Sequence, residues 1–210
     1  ITVGGVPAYS TLGRIADPLL STVGKYSEID LAALIFHELA HQVLYVPGDS
    51  AFNEAFATAV EEEGVSRYVA AYLDEAALKA WQQRRQQREK AIDVMAAARK
   101  DLAAVYASPL PVEEKRERKK QRFTQLASDL QALEASTGLR YFAGWRQEGL
   151  NNAHLASVAT YYDQVPAFEK LLREQCGGYL PCFYVQAARK AEAEKEKGPQ
   201  ARGGSQAAAP

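Results

Sequence analysis

The sequence predicts an α+β fold that is mainly α-helical, and three observations lead to this prediction. Residues 27–45, 51–73 and 75–136 are long segments of helical character, separated by residues that stop helices. The opening ITVGGVPAYST instead alternates small and apolar residues around two glycines and a proline, which is typical of an edge strand. The length of 210 residues is enough for one good core with appendages.

The composition is that of an ordinary soluble globular protein, with 47% apolar and 24% charged residues. A formal net charge of −1 gives the molecule no basic field, so we expect no nucleic-acid partner. No apolar run approaches about 18 residues, so we expect no transmembrane segment in this chain. Because the chain begins at Ile1 and not at Met, we expect it to be cut from a longer protein.

Residues 27–45 predict a central helix. Ser27 is placed to cap its start, Asp30 lies near the positive end of the helix dipole, and Pro47 with Gly48 stops it. Apolar side chains surround nearly its whole circumference. We therefore expect this helix to be buried.

A helical hairpin is predicted for residues 75–136. Two long charged segments, rich in Ala, Gln, Arg and Lys, are joined by the short break SPLP, which favours an antiparallel pair of helices. Their thin apolar stripe is typical of a protruding arm. We therefore expect a core of residues 1–74 plus 137–189, this arm, and a disordered tail of residues 190–210.

The two cysteines bracket the segment CGGYLPC, whose glycines and proline predict a tight loop. A disulfide between Cys176 and Cys182 fits such a loop, and a pair of free, half-buried thiols is an equally good interpretation. The spacing is not one that zinc knuckles use, so we do not expect either cysteine to bind a metal.

The segment HELAH, residues 37–41, is an HExxH pattern on the first predicted helix. Two histidines four residues apart stand on one face of a helix, one turn from each other, as a single tetrahedral ion requires. Glu38 lies one position round, where it can take a proton from a water on the metal. The motif therefore predicts Zn²⁺ bound by His37 and His41, with Glu38 as the catalytic base.

The alternative interpretation of this motif is a pair of partly buried helical histidines beside a surface glutamate. It is disfavoured because three ionisable groups inside an otherwise apolar helix are costly unless a metal compensates them. The PGDS turn reverses the chain, so Glu54 on the second helix can return beside His41 as a third ligand. Glu61, two helical turns further, is the alternative ligand or a partner for a histidine, whereas Glu62 and Glu63 are expected on a solvated face.

These residues resemble the gluzincin metallopeptidases, in which a glutamate of an NE-type segment on a second helix is the third zinc ligand. The resemblance implies that role for Glu54, although only 12 residues separate it from His41, fewer than in thermolysin-like relatives. It also implies a gluzincin-like core with short edge strands. The strand at the opening of the chain, through Gly5, Val6 and Ala8, would then pair with the backbone of a peptide substrate.

Gluzincins stabilise the oxyanion of the reaction with a Tyr or His from a later helix. The resemblance implies Tyr161 for this role, with His154 as second choice. A tyrosine in an apolar helix is more often a core residue, and that interpretation stays open. Asn151 and Asn152 are interpreted as residues that bind substrate backbone or cap a helix.

Three blocks together, GGVPAYSTLG, LIFHELAHQVLYVPGDSAFNEAFAT and NNAHLASVATYYDQVPAFEKLL, resemble the bacterial putative aminopeptidase family. The resemblance implies aminopeptidase activity, and export to the periplasm or anchoring by an N-terminal lipoprotein segment. The opening strand holds no acidic residue to bind a free α-amine. Two alternatives therefore stay open: an endopeptidase acting on a protein partner, with the hairpin as docking element, and a non-catalytic scaffold or adaptor.

Overall fold

The computed structural model describes residues 21–196, and 83% of these residues are helical. A short 3-10 helix, Ser21–Val23, comes first. Eight α-helices follow, the seventh of which continues as a π-helix over Leu171–Gln175: α1 Glu28–Val43, α2 Ser50–Tyr72, α3 Glu75–Ala107, α4 Val112–Thr137, α5 Ala143–Glu148, α6 Asn152–Tyr162, α7 Val165–Lys170 and α8 Leu180–Glu196.

The fold is all-α, so the prediction of an α+β, gluzincin-like core with edge strands is wrong. Residues 21–196 contain no strand. The only strand that the sequence predicts lies in the first eleven residues, outside the described part of the chain. A sheet needs a second strand to pair with, and every longer described segment is instead rich in residues that favour helices.

The described residues divide into two compact units. The first unit, Gly64–Asp163, is built on the hairpin of α3 and α4. The two helices are antiparallel across the turn of residues 108–111, and Arg122 on α4 donates to Asp101 on α3 over 2.8 Å. The core of this unit is a cluster from α3, α4 and α6: Ala91, Met95, Ala98, Leu102, Leu126, Leu130, Leu155 and Val158. The two long helices predicted for the hairpin are therefore confirmed.

The second unit contains residues 21–63 and 164–196 of the described chain, and aromatic rings fill its core. Phe168 makes edge-to-face contacts with Phe52, Phe56 and Phe183, with ring centroids 5.0–6.1 Å apart. Such arrangements are favoured by the ring quadrupoles as well as by burial. This core fixes α2 against α7 and α8.

Cys176 and Cys182 form a disulfide across the predicted loop, with their Cα atoms 5.6 Å apart. The helix α8 that begins in this loop continues to Glu196, beyond the start of the predicted tail at residue 190. Ala187 and Ala191 are buried on it, and these small apolar side chains anchor the helix. The rest of the predicted tail, residues 197–210, lies outside the described residues.

Helix α1 begins where the sequence predicts. The Ser27 side chain accepts a hydrogen bond from the Asp30 backbone, which satisfies one of the free N–H groups at the start of the helix. The burial of α1 differs from the prediction, because Ile35, Leu39 and Val43 are 42–51% exposed along one face. The prediction of a helix buried on all sides is therefore wrong for that face.

Candidate metal centre

The candidate metal centre lies within the second unit and begins on α1. His37 and His41 are one turn apart on this helix, and their ring centroids lie 5.0 Å apart in an edge-on arrangement. His41 is buried at 9% exposure, and His37 is partly buried. The helical spacing therefore brings the two imidazoles together as the HExxH pattern predicts.

Helix α2 brings a carboxylate to these rings. Glu54 Oε2 lies 3.3 Å from His37 Nε2, and Glu54 Oε1 lies 4.0 Å from His41 Nε2. One ligand atom from each of the three residues lies within 4.8 Å of the others, so the group could hold a metal ion. The short connection between His41 and Glu54 does not prevent this approach.

Glu61 occupies a different position from Glu54. Its Oε2 lies 3.1 Å from His37 Nδ1, the ring nitrogen that does not face Glu54. An acceptor at Nδ1 favours the tautomer in which Nε2 carries the lone pair. Of the two glutamates that the sequence leaves open, Glu54 is the one beside both histidines, and Glu61 orients His37.

The electrostatics of the two histidines differ. Burial alone would lower the pKa of His37, but hydrogen bonds and charge from Glu54 and Glu61 outweigh it and raise this pKa to about 9. Burial, together with the positive charge of His37, lowers the pKa of His41. In the absence of a metal, two carboxylates therefore hold a proton on His37 while His41 stays neutral near pH 7.

The donor set fits zinc. Two imidazoles and one carboxylate are the protein ligands of many catalytic zinc sites, in which a fourth position stays open. The Nδ1 atom of His41 is buried and has no hydrogen-bond partner among residues 21–196, and its Nε2 atom lies 4.0 Å from Glu54 Oε1, too far for a hydrogen bond. Neither ring nitrogen of His41 is therefore held by a bond that a metal would have to break. The residues present therefore suit a Zn²⁺ ion.

Glu38 lies between the two histidines in sequence and is partly buried on α1. A tyrosine that was not predicted from the sequence lies beside the same cluster. The ring of Tyr45 is 6.4 Å from the ring of His41, and the residue is 49% exposed. Its spacing of four residues from His41 could have indicated this contact, but α1 ends at Val43 and Tyr45 follows it.

A buried acid was also misjudged from the sequence. Glu62 is 5% exposed, so its predicted place on a solvated face is wrong. Glu62 directly follows Glu61 on α2. More of the circumference of α2 is buried than the sequence indicates, because this helix contributes to the aromatic core of the second unit.

Three other predicted site residues belong to the first unit. His154 is buried, its ring stacks on Trp145 at 4.7 Å, and its Nδ1 accepts a hydrogen bond from the Asn151 backbone. Burial lowers the pKa of His154. Asn152 accepts a hydrogen bond from the Tyr106 hydroxyl over 2.9 Å.

Tyr161, the first choice for oxyanion stabilisation, is 41% exposed, and its ring lies 6.5 Å from that of Tyr162. The roles of Tyr161, His154 and Asn152 in a reaction stay predictions. The predicted substrate strand through Gly5, Val6 and Ala8 lies outside the described residues.

The described residues thus define an all-α protein with two histidines and one carboxylate arranged around a possible metal position. A family described as "Putative aminopeptidase" matches residues 1–201, and the chain belongs to this family. No curated protein and no solved structure matches the chain. Family membership supports a peptidase. Among residues 21–196, no helix is both long and apolar enough to cross a membrane.

Proposed function

We propose that the protein is a zinc-dependent peptidase and that it acts as an aminopeptidase. The observation that carries this proposal is the cluster of His37, His41 and Glu54, whose ligand atoms lie within 4.8 Å of one another. The family to which the chain belongs supports the peptidase class. The HExxH pattern adds a candidate base, Glu38, to the metal ligands.

Each residue of the site has a distinct role in this mechanism. His37, His41 and Glu54 would hold the zinc ion, which when bound would polarise the scissile carbonyl as a Lewis acid and make water more acidic. Glu38 accepts the proton of the attacking water and passes it to the amine that leaves. Glu61 accepts a hydrogen bond from His37 Nδ1, so that the Nε2 lone pair stays directed at the metal position.

The experiment that tests this function compares the zinc-loaded wild type with Glu38→Gln on fluorogenic peptides that carry a free α-amine. Loss of the base should lower kcat on the order of 10²–10⁴-fold while zinc content is retained. Glu63→Gln, the same chemical change on α2, is the matched control and should keep wild-type turnover. Equal turnover by Glu38→Gln and the wild type would refute the role of Glu38 as the base, whereas no turnover by the zinc-loaded wild type would favour the non-catalytic scaffold.

The choice between aminopeptidase and endopeptidase needs a second set of substrates. The same peptides with an acetylated N-terminus should not be cleaved if the free α-amine is recognised. Cleavage of blocked peptides at comparable kcat/KM would overturn the aminopeptidase proposal and leave the endopeptidase.

We further propose that the protein works in the periplasm or is anchored to a membrane by an N-terminal lipoprotein segment. The Cys176–Cys182 disulfide supports this proposal, because structural disulfides persist in oxidising compartments. Cell fractionation of the native protein, with alkylation of free thiols, should find it outside the cytoplasm with both cysteines oxidised. A reduced, cytoplasmic protein would contradict the proposal.

A further inference from the structure

A buried side chain, that of Asn53, bonds to the turn between α1 and α2. The backbone N–H of Val46 donates to Asn53 Oδ1 over 2.7 Å, and Asn53 Nδ2 donates to the Val46 carbonyl over 2.8 Å. Asn53 is 2% exposed and Val46 is 3% exposed, so water does not compete for these bonds. One amide group therefore satisfies both polar groups of a buried peptide residue.

These two hydrogen bonds lie between the histidines and the third candidate ligand in the chain. Val46 follows His41 by five residues, and Asn53 precedes Glu54 by one. The amide thus joins the end of the histidine-bearing segment to the residue next to the third ligand, across a connection of only 12 residues. Loss of the two bonds between Asn53 and Val46 would move Glu54 relative to His37 and His41.

We propose that Asn53 is a positioning residue for the metal, whose amide holds the start of α2 in the register that directs Glu54 at the two histidines. The inference rests on the proposed zinc function and deepens it. Asn53 does not touch the metal position itself. It acts through the backbone of the turn and through Glu54.

The helix does not need this side chain in order to begin. Asp49 Oδ1 accepts from the Phe52 backbone over 3.1 Å, and the Asn53 backbone donates to the Asp49 carbonyl over 3.0 Å. These contacts satisfy N–H groups at the start of α2 without the Asn53 amide. Loss of the amide should therefore leave α2 helical and loosen its position against the residues around Val46.

Only a primary amide of this length can accept from the Val46 N–H and also donate to the Val46 carbonyl. Leucine has similar bulk but leaves the Val46 N–H without a partner and the Val46 carbonyl with only the bond from the Asp49 backbone N–H at 3.2 Å. Serine is too short to bond to both groups of Val46. Aspartate would place a second acceptor against the Val46 carbonyl and add charge beside the metal position, so it is a poor test. Asn53→Leu and Asn53→Ser are thus the informative variants.

The experiment measures zinc affinity on the full chain by competition with a chromophoric chelator, using variants that retain helical circular dichroism and cooperative unfolding. Asn53→Leu should raise the zinc Kd about 10–100-fold, the range found when residues that orient metal ligands are changed. If Asn53→Leu does not fold, Asn53→Ser decides with the same expected direction. The absorption spectrum of bound Co²⁺ should also change, because a displaced carboxylate alters the coordination.

Two controls separate positioning from general destabilisation. Thr58→Val removes a buried hydroxyl further along α2, and Phe183→Leu weakens the aromatic core of the same unit. Both should keep the zinc Kd within about threefold of wild type, with an unchanged Co²⁺ spectrum. If the Asn53 variant loses no more zinc affinity than Phe183→Leu, or keeps the wild-type Co²⁺ spectrum, the inference is overturned. A wild type without measurable zinc binding would instead refute the proposed function.

Discussion

Zinc affinity should depend steeply on pH, because His37 carries a proton in the metal-free protein. Glu54 and Glu61 raise the pKa of His37 to about 9, against burial that lowers it. A metal binds only the neutral imidazole, so the ion must displace this proton at any pH below that value. His41, whose pKa is lowered, is already neutral near pH 7 and adds no further dependence.

The magnitude follows from this pKa. Each pH unit well below about 9 should weaken binding about tenfold, so the zinc Kd should fall about 50-fold between pH 7 and pH 9, where half of the His37 rings are already neutral. Above that range the affinity should level off. Calorimetry near pH 7.5, in two buffers with different ionisation enthalpies, should find about one proton released for each zinc ion bound.

The matched variants test the cause. Glu61→Gln removes a carboxylate beside Nδ1, so the pKa of His37 should fall and the pH dependence should flatten. Glu63→Gln should keep the wild-type slope. An affinity that does not change across this range, with no proton released, would refute the reasoning that the two carboxylates hold a proton on His37.

Three further predictions concern stability, each measured by urea unfolding. The metal-free protein should lose stability as pH rises from about 6.5 through about 9, because the pKa of His37 is raised in the folded state; the shift corresponds to on the order of 3 kcal/mol at most. Phe168→Ala removes an aromatic side chain from the core and should lower the free energy of unfolding by about 3–5 kcal/mol. The control Tyr179→Ala changes an exposed residue and should leave this free energy nearly unchanged. Equal effects of the two substitutions would contradict the described core. Cys176→Ala removes the disulfide to Cys182, which spans a sequence separation of 6, and should lower the free energy of unfolding by about 2 kcal/mol. An unchanged urea midpoint would show that this crosslink does not stabilise the fold.

The local features of the site could be predicted from the sequence. The Ser27 cap, the pairing of His37 with His41 and the return of Glu54 depend on helical periodicity and on one turn, which nearby residues determine. The long helices α3 and α4 were predictable for the same reason. Most of the candidate site could therefore be predicted from local helical structure.

Features that depend on tertiary neighbours could not be predicted in this way. An apolar pattern all round α1 does not reveal which side lacks a partner, and Leu39 is 49% exposed. Glu62 is buried because of what packs on α2, and His154 is placed by its stacking on Trp145. The α+β prediction rested on one short segment and on a resemblance, and the described residues are all-α.

The binding of a zinc ion by His37, His41 and Glu54 is the central claim. A crystal of the zinc-loaded protein, with anomalous data collected on both sides of the zinc absorption edge, tests it most directly. The expected result is one anomalous peak at about 2.0–2.2 Å from a ring nitrogen of each histidine and from a Glu54 carboxylate oxygen. A fully loaded protein with no peak at these residues, or with the ion held elsewhere, would contradict the claim.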